Sequence, residues 1–88
     1  MKVTFWPTAW EDYRHWVDTD PQVLAKLNGL IEECRRHPFK GTGKPEPLRG
    51  ELGGWWSRRI SQEHRIAYRV KGKGGEQVLE IAQCRYHY

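Results

Sequence analysis

A chain of 88 residues has room for one domain rather than two, and its 15 Lys and Arg against 11 Asp and Glu leave a formal charge of +4. With 38% hydrophobic residues and five Trp it is too apolar and too aromatic for a disordered tail, and its short apolar runs exclude a helical membrane span. Charges and a Pro interrupt the first residues before any signal-like stretch develops, and two cysteines make neither a disulfide scaffold nor a metal site, so a single soluble cytoplasmic domain over residues 1–88 is expected.

In chain order, Lys2 to Trp6 predicts a short strand ended by Pro7. Thr8 and Glu11 have the spacing of a capping box, in which hydroxyl and carboxylate each satisfy an orphan N–H at the head of a helix. Trp10, Tyr13, Trp16 and Val17 follow at helical spacing, which predicts an aromatic stripe packed inward. Thr19-Asp20-Pro21 stops this helix and starts the next, with Asp20 as N-cap and Pro21 at the first helical position. The second helix carries Val23, Leu24, Leu27, Leu30, Ile31 and Cys34 on one face, and Pro38 ends it. From Gly41 to Gly54, repeated Gly and Pro preclude a regular helix or a central strand and leave a long loop.

Three more strands are expected: Trp55 to Ser61, Arg65 to Val70 and Gln77 to Tyr86, the last two joined by a Lys- and Gly-rich hairpin turn. In the first, Trp56, Arg58 and Ile60 alternate with Trp55, Ser57 and Arg59. In the second, Ile66, Tyr68 and Val70 share the face opposite Arg65, Ala67 and Arg69. The order βααβββ predicts an α+β fold, a small and mostly antiparallel sheet with both N-terminal helices packed on one face.

Charge is distributed unevenly. Residues 1–34 hold three basic against six acidic side chains, a net −3, whereas residues 35–88 hold twelve against five, a net +7. A basic segment of this kind suits a polyanion, either nucleic acid or an acidic partner protein. If the helices cover one sheet face, Arg59 and Arg65 fall on the other, on neighbouring strands, where opposed side chains lie about 5 Å apart. Like charges that close favour an intervening anion, and phosphate matches the guanidinium fork. The plainer reading of the same arginines is a solvated face paired with Glu51 or Glu63.

Two further residues fit acid–base chemistry. Glu46 stands between Pro45 and Pro47, so its carboxylate is presented on a stiff loop. His87 is penultimate and follows a strand of the basic face; imidazole is the side chain best matched to proton transfer near neutrality. A general base, a general acid and nearby cations suffice for metal-free RNA cleavage, in which a 2′-OH attacks its own 3′-phosphate. Tyr86 and Tyr88 suit stacking on unpaired bases. His15, His37, His64 and His87 form no zinc-type pattern, and no phosphate-cradling loop or cofactor motif occurs, so neither metal nor cofactor is expected.

The stretches Pro38 to Leu48, Trp56-Ser57-Arg58-Arg59-Ile60, Glu63-His64-Arg65 and Arg85-Tyr86-His87-Tyr88, with Trp10, Asp12, Tyr13, Trp16 and Asp20, closely resemble the YoeB branch of the RelE/ParE toxin superfamily. The resemblance runs end to end, departing mainly at the turn from Lys71 to Gly75. It implies a bacterial type II toxin that enters the A site of the 70S ribosome and cuts mRNA there. By the same resemblance Glu46 is the general base and His87 the general acid. Arg65 stabilises transition-state charge and Tyr88 orders the site. Arg49, Arg59, Lys44 and Tyr86 belong with RNA or phosphate. The products implied are a 2′,3′-cyclic phosphate and a 5′-OH. A homodimer and a YefM-like antitoxin with an acidic tail are the implied protein partners. Two rivals remain: a gyrase poison of the ParE type, which lacks the carboxylate–histidine set, and a basic module that grips RNA without cutting it.

Overall fold

The computed structural model describes residues 1–86. Strand β1 (Lys2–Phe5) leads into helix α1 (Pro7–Thr19), then α2 (Pro21–Arg36), β2 (Glu46–Pro47), β3 (Trp56–Arg59), β4 (Arg65–Lys71) and β5 (Val78–Gln83). The five strands form one sheet in the order β1-β5-β4-β3-β2. Pairing is antiparallel except at β1, which runs parallel to β5 with Lys2 opposite Val78 and Phe5 opposite Ile81. The expected α+β architecture is therefore present, with one more strand than the sequence reading allowed.

That extra strand is β2. It is two residues long and lies at the sheet edge beyond β3, where prolines are tolerated because the outer N–H groups have no strand to bond. A single 3₁₀ turn, Gly50–Leu52, follows it. The final strand is shorter than expected. β5 stops at Gln83 beyond a bulge opposite Ala67 and Tyr68, and Cys84 to Tyr86 leave regular strand structure while the Arg65 N–H of β4 still reaches the Tyr86 carbonyl.

Both helices pack on the same face. Ala9 and Trp16 of α1 and Leu27, Leu30, Ile31 and Cys34 of α2 bury against Ile66, Tyr68, Leu79 and Ile81 of the sheet. Asp20 caps α2 as expected, its carboxylate accepting the N–H groups of Gln22 and Val23 at 3.1 Å each. The capping box at Thr8 and Glu11 does not form. The N-cap of α1 is Trp6, in extended conformation and without a side-chain bond, and Pro7 opens the helix, which puts Thr8 and Glu11 inside it. Of the expected inward stripe of α1, Trp16 is buried and Tyr13 packs partly buried against the core, whereas Trp10 and Val17 are each about half exposed and Ala9 takes a buried place instead. Trp10 stacks parallel on Tyr13 at 5.9 Å on the outer flank of the helix.

Cys34 and Cys84 lie in the core as free thiols, and burial pushes them up to about 11 and about 12. Thiols held protonated in this way are inert packing groups rather than nucleophiles. No described helix is long and apolar enough to cross a membrane.

Candidate active site

The sheet face away from the helices divides into two regions. At one end Trp6 meets Trp55 edge-on at 5.1 Å, the Arg69 guanidinium lies 4.4 Å from the Trp55 ring, and Glu80 accepts from both Trp6 and Arg69. Trp6, Arg69 and Lys71 hold the Glu80 carboxyl below the ordinary carboxylate range against the opposing effect of its burial. This end is filled by its own side chains.

The other end is built by strand register. Glu46 on β2 stands opposite Ser57 on β3, which stands opposite Ala67 on β4. Two residues along, Arg59 stands directly opposite Arg65. Residues two apart on a strand share a face, so Glu46, Arg59 and Arg65 are neighbours on this side of the sheet, the carboxylate lying diagonally from Arg59. Ser57 and Ala67 are buried and form the floor, whereas Glu46 and Arg59 are exposed. Arg59 and Arg65 therefore stand opposite each other in register on the open face. Ion pairing of these arginines with Glu51 or Glu63 is not found among the described residues, where the pairs are Arg35–Glu32, Arg58–Glu33, Arg69–Glu80 and Lys71–Glu80.

Arg65 is partly tied down. Its guanidinium donates to the carbonyls of Ser61 at 2.8 Å and His64 at 3.1 Å in the β3–β4 turn. Its backbone N–H donates to the Tyr86 carbonyl at 3.1 Å, which brings the C-terminal turn beside it. Tyr86 is more than half exposed and left-handed, with φ of 64°, a conformation costing a non-glycine residue roughly 1 kcal/mol or more. Lys44 is likewise left-handed (φ 52°) and exposed, two residues before Glu46. Arg49 is exposed at the head of the 3₁₀ turn, beyond the far end of β2. His87 and Tyr88 lie outside the described residues.

How the Glu46 loop is held was missed in the sequence. Arg58 points into the core and is fully buried. Its Nε donates to the Tyr68 hydroxyl at 3.1 Å, and one terminal nitrogen donates to Glu33 at 3.0 Å and to the Thr42 carbonyl at 3.2 Å. The other donates to the carbonyls of His37 and Lys40. All five donors of the fork are thus used, three of them on loop carbonyls between residues 37 and 42. Glu33 closes the ring by accepting the Thr42 N–H and hydroxyl at 2.6 Å each. Just downstream, the Gly43 carbonyl accepts the Arg59 N–H, and a Cβ at Gly43 (φ +81°) would press on Leu30, Arg58 and the Arg59 carbonyl at 3.1 Å. Only glycine lets the loop approach β3 so closely before turning into Glu46. The signal that pointed to this clamp was the alternation that put Arg58 on the same face as Trp56 and Ile60.

The two Thr42 bonds, with help from Arg58, hold the Glu33 carboxyl below its ordinary value of 4.5. A carboxyl depressed on folding contributes stability that is complete above its unfolded pKa and is withdrawn as pH falls through the folded one. Denaturant titrations stepped down from pH 5 should therefore show stability falling below about pH 4.5, with a shallower fall in Glu33→Gln. Identical slopes in the two proteins would remove Glu33 from the acid response.

Residues 5–88 match the family model described as the YoeB-like toxin of bacterial type II toxin–antitoxin systems. Toxin YoeB of Streptomyces coelicolor is 50% identical over 88 residues, covering 100% of both chains. The solved YoeB/ParE toxin from Agrobacterium tumefaciens is 52% identical with a TM-score of 0.98, again over 100% of both chains. The YoeB of the heterotetrameric YoeB–YefM complex from Staphylococcus aureus is 39% identical with a TM-score of 0.88, over 100% of this chain and 98% of that one. A sheet whose open face gathers one carboxylate and two arginines is thus found in a chain that belongs to the YoeB-like toxins of bacterial type II toxin–antitoxin systems.

Proposed function

We propose that this toxin halts translation as a ribosome-dependent mRNA endoribonuclease that needs no metal. The observation that carries the reading is the register that makes Glu46, Arg59 and Arg65 neighbours on the face the helices leave open. Glu46 takes the proton of the 2′-OH as that oxygen attacks the adjacent 3′-phosphate. Arg65, with Arg59, lies against the charge that develops on the phosphorus oxygens. His87 returns a proton to the departing 5′-oxygen, and Tyr88 orders the site. The products are a 2′,3′-cyclic phosphate and a 5′-OH. Lys44, Arg49 and Tyr86 contact the RNA strand around the scissile bond. The ribosome supplies the A-site codon in a fixed pose, worth several orders of magnitude in rate where the protein's own groups are exposed.

In the cytoplasm the toxin forms a homodimer and is neutralised by a YefM-like antitoxin, as the dimer and the YoeB–YefM complex of the Staphylococcus aureus relative suggest by likeness. An acidic antitoxin tail and mRNA then compete for the segment of net charge +7. The test is incubation with programmed ribosomes and end-labelled mRNA, with EDTA added after assembly, beside a His87→Ala variant. The expected result is a cut in the A-site codon ending in a cyclic phosphate, absent in the variant. Growth arrest without any such cut would instead favour a gyrase poison or a binding module.

A further inference from the structure

We infer that His64 is a positioning residue, whose Nδ1 accepts the Tyr86 N–H and fixes the left-handed turn from which the chain continues to His87 and Tyr88. The inference rests on the nuclease reading only for its kinetic consequence. The bond is 2.8 Å long and joins the β3–β4 turn to the C-terminal segment, 22 residues away in sequence.

Four backbone groups in that segment are held from outside it. The Cys84 N–H donates to Asp12 at 3.1 Å, and the Cys84 carbonyl accepts the Trp16 indole at 2.9 Å, so α1 fixes the residue where β5 ends. Two residues on, the Tyr86 carbonyl accepts the Arg65 N–H, and the Tyr86 N–H goes to His64. The second pair acts at a residue whose φ of 64° is unfavourable without such support. His64 is itself well seated. Its ring meets Trp16 edge-on at 4.7 Å and lies 5.7 Å from the Tyr86 ring. Its own N–H donates to the Ser61 hydroxyl, and its carbonyl accepts the Ile60 N–H.

Accepting at Nδ1 demands the neutral tautomer that carries its proton on Nε2. His64 touches no substrate in this scheme; it acts through the chain. Release of the Tyr86 N–H frees φ and ψ one residue before His87, and each residue spans about 3.5 Å. A misplacement of about 1 Å at a reacting group is enough to cost on the order of 100-fold in rate.

Asparagine places a side-chain oxygen close to where Nδ1 lies, whereas glutamine carries its acceptor one carbon further out and alanine has none. His64→Ala, His64→Gln and His64→Asn would be compared with the wild-type full chain on programmed ribosomes under single-turnover conditions. The expected result is a loss of about 10- to 100-fold in the cleavage rate for Ala and Gln, with ribosome affinity unchanged, and recovery of most of that rate in Asn. All three variants lose the ring packed on Trp16, so a merely structural contribution would lower Asn as much as Ala. Amide NMR on the same labelled proteins reads the positioning directly. Tyr86 N–H exchange should be slow in wild type and Asn and fast in Ala and Gln, and the amide shifts of residues 87 and 88 should follow the same division. Equal rates in all four proteins, or unmoved shifts at residues 87 and 88 in His64→Ala, would overturn the assignment. A wild type that cuts nothing would sink the nuclease reading and leave the NMR division to decide the role of His64.

Discussion

Glu46→Gln is expected to slow A-site mRNA cleavage by about 100- to 10,000-fold while leaving ribosome binding nearly unchanged. The amide keeps the size of the carboxylate but cannot take the 2′-OH proton at neutral pH. Glu46 is exposed on an edge strand and framed by Pro45 and Pro47, so the exchange leaves the sheet and the loop intact. Single-turnover cleavage on programmed ribosomes, with affinity measured separately, divides the outcomes. A rate within tenfold of wild type would mean that another group takes the proton. Retained growth arrest together with lost cleavage would mean that toxicity comes from occupying the ribosome or another target rather than from cutting.

Arg58→Met should destabilise the protein by several kcal/mol, on the order of 3, because it removes a fully buried guanidinium and leaves the acceptors around it unpaired. Methionine nearly fills the volume, but it leaves Tyr68, Glu33 and the carbonyls of His37, Lys40 and Thr42 without the donors they now use. For a domain of this size each kcal/mol is worth about 4–8 °C in melting temperature, so the loss is easily read by thermal or denaturant melts. Arg58→Lys should recover little, since a single ammonium cannot reach five acceptors in fork geometry. A lysine variant within about 1 kcal/mol of wild type would show that charge, not the fork, holds the loop. The clamp also stands upstream of Glu46, so a less drastic change, Thr42→Val, should loosen the loop and lower cleavage more than it lowers stability.

How far the fold could be read differs element by element. The apolar face of α2 was legible because Leu27, Leu30, Ile31 and Cys34 recur at helical spacing and Asp20-Pro21 marks the start. On α1 two stripes one residue apart obey the same period: Ala9 and Trp16 are seven residues apart, as are Trp10 and Val17. The expected stripe mixed the two: Trp16 is buried as expected, but aromatic and apolar bulk drew in Trp10 and Val17, while the small Ala9 is the buried residue that was passed over. The parallel pairing of β1 could not be read, because side-chain alternation is blind to strand direction. The two-residue β2 is too short to carry an alternation at all. In the site, alternation did put Arg59 and Arg65 on one face. It also put Arg58 among core residues, but Glu33 lies 25 positions away, and nothing local announces a partner at that distance.

The parallel pairing at the sheet edge bears on when this toxin can become active. β1 is made before the other strands, yet its neighbour in the sheet is β5, the last of the described strands, so the longest-range contacts among the described residues wait until β5 has been made. Contacts of that span form late in folding. The turn that carries Tyr86 is anchored by Asp12 and Trp16 on one side and by His64 and Arg65 on the other, all of which precede it in the chain. A nascent chain whose β5 is not yet free of the ribosome therefore has an incomplete sheet and an unanchored Tyr86 turn. The order of synthesis therefore sets a delay between the making of the first strand and the completion of the sheet whose open face carries Glu46, Arg59 and Arg65.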